Sequence, residues 1–358
     1  MRWLPFFLPT LAIAFDSKTS TLAILLGVAE AAGLSTLVAG RWLDRGRERR
    51  VMIIALGVVS AGCLVALIGS VPAFAVTALL IGGGTGYVTV AGHTWISARV
   101  PFDRRARFIG VYEMSWASAL LIGAPVVAVL ISLFGWRGPF IALAGLAALA
   151  AASVWTIDEP PPLEVRVPLE GRRPLTRHAW TVIAASASIA MAGLSLIVVA
   201  GTWLDDVLGV STGGIGLVAM AFGAAELTAS SSSSAFADRL GKFRTVRVTT
   251  ATILVGLLVI SIAGSSLVVG AIGLLIFFLA FEYSVVTSFS LVSEAMPNAR
   301  GQTLGLSNAI STVARGIGVT SAGLLYERFE IIGPAALSAS AAIAALLLLR
   351  AASLSRNE

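Results

Sequence analysis

Long apolar stretches alternate with short polar loops along almost the whole chain. A helix rises about 1.5 Å per residue, so about 20 apolar residues cross a bilayer core of about 30 Å. Most of the stretches have this length, which predicts a bundle of membrane-spanning helices. We number them spans 1 to 12, and they cover residues 3–15, 19–39, 51–69, 73–98, 107–133, 138–156, 179–204, 212–236, 246–264, 267–295, 302–325 and 331–350.

Span 1 is shorter than the others and allows two interpretations. Arg2 followed by an apolar run resembles a signal peptide that would be removed. However, Phe15-Asp16-Ser17 is a poor cleavage site, because such sites favour small residues. We therefore expect a genuine but shortened first helix. The predicted fold class is an all-α integral membrane protein with twelve transmembrane helices in two pseudo-symmetric bundles of six.

Composition supports a membrane protein and excludes several other classes. Hydrophobic residues make up 57% of the chain and charged residues 12%, too few charges to cover a soluble surface. Cys63 is the single cysteine, so there is no disulfide framework, and His93 and His178 are far apart, so no metal site is expected. We expect no cofactor. The net charge of +6 does not indicate nucleic-acid binding, because the basic residues lie in short loops between spans.

The basic residues collect in alternate loops. They follow spans 2, 4, 6, 8 and 10, whereas the opposite loops carry only Lys18, Arg137 and Arg328. Positive residues stay on the cytoplasmic side of a membrane. This distribution predicts a multi-pass protein of the plasma (inner) membrane with both termini in the cytoplasm.

A proline-rich polar segment divides the chain near its middle. Residues 157–178 contain five prolines and mixed charges, which is unfavourable for a helix and typical of a linker. The predicted organisation is a six-helix bundle over residues 1–156, a cytoplasmic linker over 157–178 and a second six-helix bundle over 179–358.

The two predicted bundles resemble each other at a nearly constant offset. Three anchors recur after 194, 196 and 195 residues, namely Asp44-Arg45 at Asp238-Arg239, Pro101 to Arg104 at Pro297 to Arg300, and Gly110 at Gly305. Transporters are often built from duplicated bundles, with the substrate site near the midplane at their junction.

The loops after spans 2 and 8 resemble a signature of the major facilitator superfamily, G-x-L-a-D-R-x-G-R-K/R. Residues 40–50 read GRWLDRGRERR, with the second glycine one place early, and residues 237–242 read ADRLGK, with Ser234 in place of the first glycine. The resemblance covers essentially the whole chain and is to the drug and metabolite efflux branch. It implies a secondary transporter that works by alternating access.

The same resemblance implies a gating motif that closes the cytoplasmic side in the outward-facing state. Its residues here are Gly40, Asp44, Arg45, Arg49, Asp238, Arg239, Gly241 and Lys242. The alternative is that the basic residues act only as topology signals. Two features of related drug/proton antiporters are missing: residues 75–86 carry no arginine, and the span 5 glycine motif is reduced to Gly123-Ala124-Pro125.

A small set of ionisable residues lies within the predicted spans, where a charge usually faces the bundle interior. The candidates for substrate contact or proton coupling are Glu30, His93, Glu113, Glu226, Glu282 and Arg315. Three interpretations stay open for the charged ones: a structural ion pair, most plausibly Arg315 with Glu30 or Glu282, a substrate contact, or a protonatable coupling site. Glu226 is the main coupling candidate, because its own helix offers no basic partner. His93 could titrate near neutral pH or simply hydrogen-bond a neighbouring helix.

Spans 3, 6, 9 and 12 carry no charge in their interiors, as expected for helices that face lipid at the periphery. The leading hypothesis is proton-coupled efflux of small organic molecules, with a small-molecule substrate, the proton and the lipid bilayer as partners and a monomeric state. The alternative is uptake of a sugar, organic anion or other metabolite by symport or uniport. A membrane enzyme is not expected, because the longest loop is short and proline-rich.

Overall fold

The computed structural model describes residues 2–43, 45–156, 174–296 and 299–355. Throughout these ranges the chain is helical with short turns and contains no strand. Nine of the helices described are long and apolar enough to cross a membrane. The predicted all-helical membrane fold is confirmed.

The first six spans follow the predicted order, and three of them consist of more than one helical segment. Span 1 is a 3-10 turn, Leu4–Phe7, that continues into Leu8–Ala14. Span 2 consists of Thr19–Glu30, a 3-10 segment Ala31–Ser35 and Thr36–Leu43. Spans 3 to 6 comprise Glu48–Ala66, Val71–Arg99, the pair Phe102–Leu121 and Gly123–Phe134, and Arg137–Thr156.

The last six spans are unbroken helices. Spans 7 to 12 are Arg177–Asp206, Thr212–Leu240, Lys242–Ser261, Leu267–Ala295, Arg300–Phe329 and Ile332–Ser355. Several extend a few residues beyond the predicted limits, for example to Arg177 and Asp206 at the two ends of span 7.

The 3-10 segment of span 2 follows directly after Glu30. Gly33 favours a departure from α geometry, and the hydroxyls of Ser35 and Thr36 bond back to the carbonyls of Ala32 and Gly33 at 2.6 Å. A 3-10 stretch within a helix often marks a hinge. The backbone irregularity therefore lies next to a charged residue in the bundle interior.

Span 5 is broken at Ile122 for a local reason. Pro125 lacks a backbone N–H, and its ring would clash with the carbonyl four residues earlier, at Leu121. The first helix ends at Leu121 and the second begins at Gly123. The sequence Gly123-Ala124-Pro125 thus produces a bend in the middle of the span.

The two groups of six spans meet mainly through three pairs of spans. Span 2 packs on span 11, span 5 on span 8, and span 1 on span 7. Span 2 of the first group corresponds to span 8 of the second, and span 5 corresponds to span 11. The contact between spans 2 and 11 is therefore the pseudo-twofold counterpart of the contact between spans 8 and 5. Span 7 lies at the centre, with 72% of its apolar window buried, whereas the corresponding figure for span 3 is 22%.

The bundle has two ends that differ in charge. We call the end that carries the loops after spans 2, 4 and 8 the basic face, and the opposite end the far face. The groups are in close contact towards the far face: a Cβ on Gly27 would lie 2.8 Å from the Thr320 nitrogen, and one on Gly216 would lie 2.8 Å from the Ala128 Cβ. The division into bundles over 1–156 and 179–358 stays a prediction, and residues 157–173 lie outside the described ranges.

Candidate functional site

A guanidinium and two carboxylates meet inside the bundle. Arg2 Nη1 donates to Glu226 Oε2 at 2.5 Å and to the Trp116 carbonyl oxygen at 2.8 Å. Arg2 Nη2 lies 3.9 Å from Glu282 Oε1. The Arg2 guanidinium also lies 5.7 Å from the centre of the Trp116 ring, within range of a cation–π contact. We call Arg2, Glu226 and Glu282 the central triad.

The triad is at the middle of the helices that carry its acids. Glu226 is near the midpoint of span 8, Thr212–Leu240, and Glu282 is near the midpoint of span 10, Leu267–Ala295. Half of such a helix measures about 21 Å, so both carboxylates lie deep within the bundle. The Glu282 side chain is 8% exposed and that of Glu226 is 13% exposed. A charge at this depth requires a partner, and Arg2 supplies it for both acids.

A second ion pair joins spans 2 and 11. Arg315 Nε donates to Glu30 Oε2 at 3.0 Å, and Arg315 Nη2 donates to the Thr312 hydroxyl at 3.0 Å. Arg315 is near the midpoint of its helix, and Glu30 ends the first helix of span 2. Sequence analysis considered Glu30 and Glu282 as partners of Arg315, and in the structure the partner is Glu30.

The two ion-paired groups cross the junction in opposite directions. Arg2 comes from the first group of spans and contacts acids of the second, whereas Arg315 comes from the second and contacts Glu30 of the first. Each group of spans therefore supplies a guanidinium to a carboxylate of the other. Relative movement of the groups must stretch or exchange these bonds.

His93 and Glu113 are not shown to join either ion-paired group. The His93 ring packs edge-on against Tyr112, with 5.1 Å between centroids, and the Tyr112 hydroxyl donates to the Val88 carbonyl at 3.2 Å. His93 thus takes part in packing between spans 4 and 5. The side chain of Glu113 lies outside the described residues.

Part of the predicted gating motif lies outside the described residues, namely Asp44, the surroundings of Gly40 and the side chain of Asp238. Arg45 and Arg239 are exposed. Arg49 donates from Nε to the Val154 carbonyl at 3.0 Å and from Nη2 to that of Trp155. It therefore binds the last carbonyls of span 6, within its own group of spans.

The second copy of the motif runs from the end of span 8 to the start of span 9. Gly241 adopts a φ of +81°, a left-handed conformation that glycine allows, and precedes the helix. Lys242 pairs with Glu294 of span 10. The contacts of Arg49 and Lys242 thus stay within their own groups of spans, and a role of the motif in gating stays a prediction.

Sequence analysis missed Arg2, although a signal for it was present. If Ala14 lies near the far face, twelve helical residues at about 1.5 Å each place Arg2 about 18 Å below it, close to the middle of the bundle. A base before a shortened span is therefore an interior charge rather than a loop charge. The sequence pattern alone places Arg2 in the basic start of a possible signal peptide.

The fold and these charges define a helical membrane transporter, with two groups of six spans and ion pairs between them. The family model described as Major Facilitator Superfamily matches residues 1–319. The chain belongs to this superfamily. It is a multi-pass membrane transporter and not an enzyme.

Several solved transporters have a similar fold at low sequence identity. A D-xylose-proton symporter is 18% identical, with a TM-score of 0.77 over 96% of this chain and 92% of that one. A bacterial homologue of the iron transporter ferroportin in the inward-facing state is 17% identical, with a TM-score of 0.75 over 98% and 94%. A bacterial homologue of the human lysosomal transporter Spinster, inward-facing and occupied, is 16% identical, with a TM-score of 0.73 over 99% and 92%. At these identities the likeness shows the fold alone.

Proposed function

We propose that this secondary transporter exchanges protons for small organic molecules and works as an efflux antiporter by alternating access. The observation that carries this proposal is the central triad. Its members belong to different groups of spans, and its carboxylates lie deep in the bundle. A change in the charge of the triad therefore changes a bond between the two parts that must move.

The charges of the triad support proton exchange. One guanidinium faces two carboxylates, so the triad carries a net charge of −1 when Glu226 and Glu282 are both ionised. An uncompensated charge is costly at this depth, and one proton removes it. A bound organic cation would remove it equally well. Proton and cation then compete for the same negative charge, which is what exchange requires.

Arg2 links this competition to movement. When both acids are ionised, Arg2 attracts them and holds span 1 to spans 8 and 10. When one acid is protonated, the attraction between the groups weakens, so the two conformations differ in their affinity for the proton. A ligand shifts a conformational equilibrium by such a difference in affinity. Glu226 and Glu282 are therefore the proposed coupling residues, with Arg2 as their partner.

The Glu30–Arg315 pair has a different proposed role. It is balanced in charge, and the Arg315 guanidinium is already engaged by Glu30 and Thr312. An anionic substrate would have to displace Glu30 to reach it. This engagement favours a structural link between spans 2 and 11 over the anion-binding role that an uptake carrier would require.

The remaining parts of the proposal follow from the sequence. The basic face lies in the cytoplasm with both termini, the membrane is the plasma membrane, the gating motif acts at that face, and the working unit is a monomer. His93 and Glu113 stay candidates for contact with substrate, because they lie on spans 4 and 5.

Flux measurements on purified protein test the proposal. A panel of organic cations, organic anions and sugars is first screened by thermal shift, and the compounds that stabilise the protein are then followed in proteoliposomes. We expect cations among these compounds, with a flux whose direction reverses when the imposed pH gradient is reversed. A flux that does not change with the pH gradient would contradict proton coupling. Transport of sugars or anions in the same direction as the proton would favour uptake by symport.

A further inference from the structure

Spans 2 and 11 are in direct backbone contact near the far face. We call this contact the far-face seam, and it comprises Ser20, Ala23 and Gly27 of span 2 with Gly316, Thr320 and Gly323 of span 11. A Cβ on Gly27 would lie 2.9 Å from the Gly316 carbonyl oxygen, and one on Gly323 would lie 3.0 Å from the Ala23 Cβ. The seam leaves no space for a substrate, so it closes the far face along this line.

Glu327 extends the seam at its outer end. Positions 316, 320, 323 and 327 have the i, i+4, i+7 and i+11 spacing that places residues on one face of a helix. The Ser20 hydroxyl donates to the Glu327 carboxylate. The Lys18 ammonium lies 3.6 Å from the same carboxylate oxygen. Lys18 and Ser20 belong to the first group of spans and Glu327 belongs to the second.

We propose that Lys18, Ser20 and Glu327 form a latch that holds the far face closed, so that Glu327 sets how often the transporter opens there. The seam can separate only after this contact breaks. The latch rests on the movement of the two groups in the proposed function, but it requires neither proton coupling nor a particular substrate. No residue of the latch belongs to the gating motif at the basic face.

The exposure of the latch suits a contact that breaks in every cycle. The side chains of Lys18 and Glu327 are 78% and 38% exposed. A cavity of about 850 Å³ adjoins them, lined by the turn between spans 1 and 2 and by the far ends of spans 7 and 11. Exposed ion pairs shift an equilibrium by only about twofold to fivefold. The latch is thus strong enough to bias the closed state and weak enough to open.

The pseudo-symmetric contact between spans 5 and 8 is closed in a different way. A Cβ on Gly216 would lie 2.8 Å from the Ala128 Cβ, and Gly223 packs on the Leu121 backbone. Apolar side chains and backbone thus make this contact, whereas charged residues end the seam between spans 2 and 11. The latch therefore makes the opening of the far face sensitive to single charges on one side of the bundle.

The test uses pulsed electron paramagnetic resonance to measure the distance between two spin labels, one on each group of spans. Labels are attached at Phe134→Cys, at the end of span 5, and at Ser265→Cys, between spans 9 and 10, in a Cys63→Ala background. Both label sites are exposed and lie outside the latch. In Glu327→Ala without substrate or gradient, the population at long distance should rise about twofold to fivefold. Glu327→Gln keeps a partner for Ser20 and should give a smaller rise.

Two further variants decide between a latch and a general disturbance. Arg328→Ala alters the neighbouring exposed residue and should leave the distances unchanged. The exchange Lys18→Glu with Glu327→Lys should restore the wild-type distribution. A Glu327→Ala distribution identical to the wild type would overturn the proposal, as would an exchanged pair that stays as open as Glu327→Ala. These results do not depend on whether transport is coupled to protons.

Discussion

Arg2 Nη1 lies 2.5 Å from Glu226 Oε2, although the two residues are 224 positions apart and belong to different groups of spans. Glu282 lies near the same guanidinium, so one positive charge serves two acids. In the proposed mechanism, protonation of one of these acids changes the attraction between the two groups of spans. The predictions below test that relation and the contacts around it.

Glu226→Gln should remove the pH dependence of transport. Glutamine keeps the size of the side chain and a bond to Arg2, but it cannot take up a proton. Without a substrate the triad is then neutral, so exchange of labelled substrate across equal pH should require a higher substrate concentration but persist, whereas gradient-driven flux should fall at least tenfold. The matched control is Glu294→Gln, because Glu294 is an acid on the surface that pairs with Lys242. An unchanged pH profile in Glu226→Gln would remove Glu226 from the coupling site.

Replacing either partner of the Glu30–Arg315 pair should destabilise the protein more than replacing both. The single variants Glu30→Gln and Arg315→Gln each leave one charge uncompensated, which should lower the free energy of unfolding by about 1–2 kcal/mol after allowance for partial exposure. The double variant should recover at least half of that loss. Thermal unfolding in detergent measures all three. Additive losses would show that the pair contributes no coupling energy.

Gly27→Ala should destabilise the far-face seam. The added methyl group would lie 2.8 Å from the Thr320 nitrogen and 2.9 Å from the Gly316 carbonyl, and these backbone atoms cannot move aside without separating the helices. We expect a loss of about 1–3 kcal/mol. Gly57→Ala is the matched control in span 3, where a Cβ meets nothing within 4 Å. It should be neutral or slightly stabilising, and equal behaviour of the two variants would contradict close packing at the seam.

Asp44→Asn should impair transport while membrane insertion stays normal. In the motif that residues 40–50 resemble, the aspartate accepts charge-assisted hydrogen bonds that close the cytoplasmic side. We expect at least a tenfold loss of flux, with unchanged yield of folded protein by size-exclusion chromatography. Normal flux would refute the gating role of Asp44 and leave the neighbouring arginines as topology signals.

Much of the fold could be predicted because span length and loop charge are local properties. Each predicted span corresponds to one observed helix or to consecutive helical segments, and the break in span 5 follows from Pro125. The 3-10 segment after Glu30 was not predicted. This segment is also held by a contact with another helix, because the Tyr87 hydroxyl of span 4 donates to the Ser35 carbonyl at 2.8 Å.

The candidate site was only partly predictable because pairing is a long-range property. Depth along a helix identified Glu226, Glu282 and Arg315 as interior charges, but depth alone could not choose the partner of Arg315. Arg2 was missed because its depth depends on where span 1 ends at the far face. The far-face latch could not be predicted either. In the sequence, Lys18 and Glu327 are two charges near loops, and only the packing of spans 2 and 11 brings them into contact.

Proton release on ligand binding tests the central claim most directly. A cation that stabilises the purified protein by thermal shift is added to wild-type protein in weak buffer, and the pH change is recorded with an indicator dye. If proton and substrate compete at the triad, the wild type should release up to one proton per bound ligand, and Glu226→Gln should release none. Ligand binding to the wild type with no proton release at any pH would contradict the account.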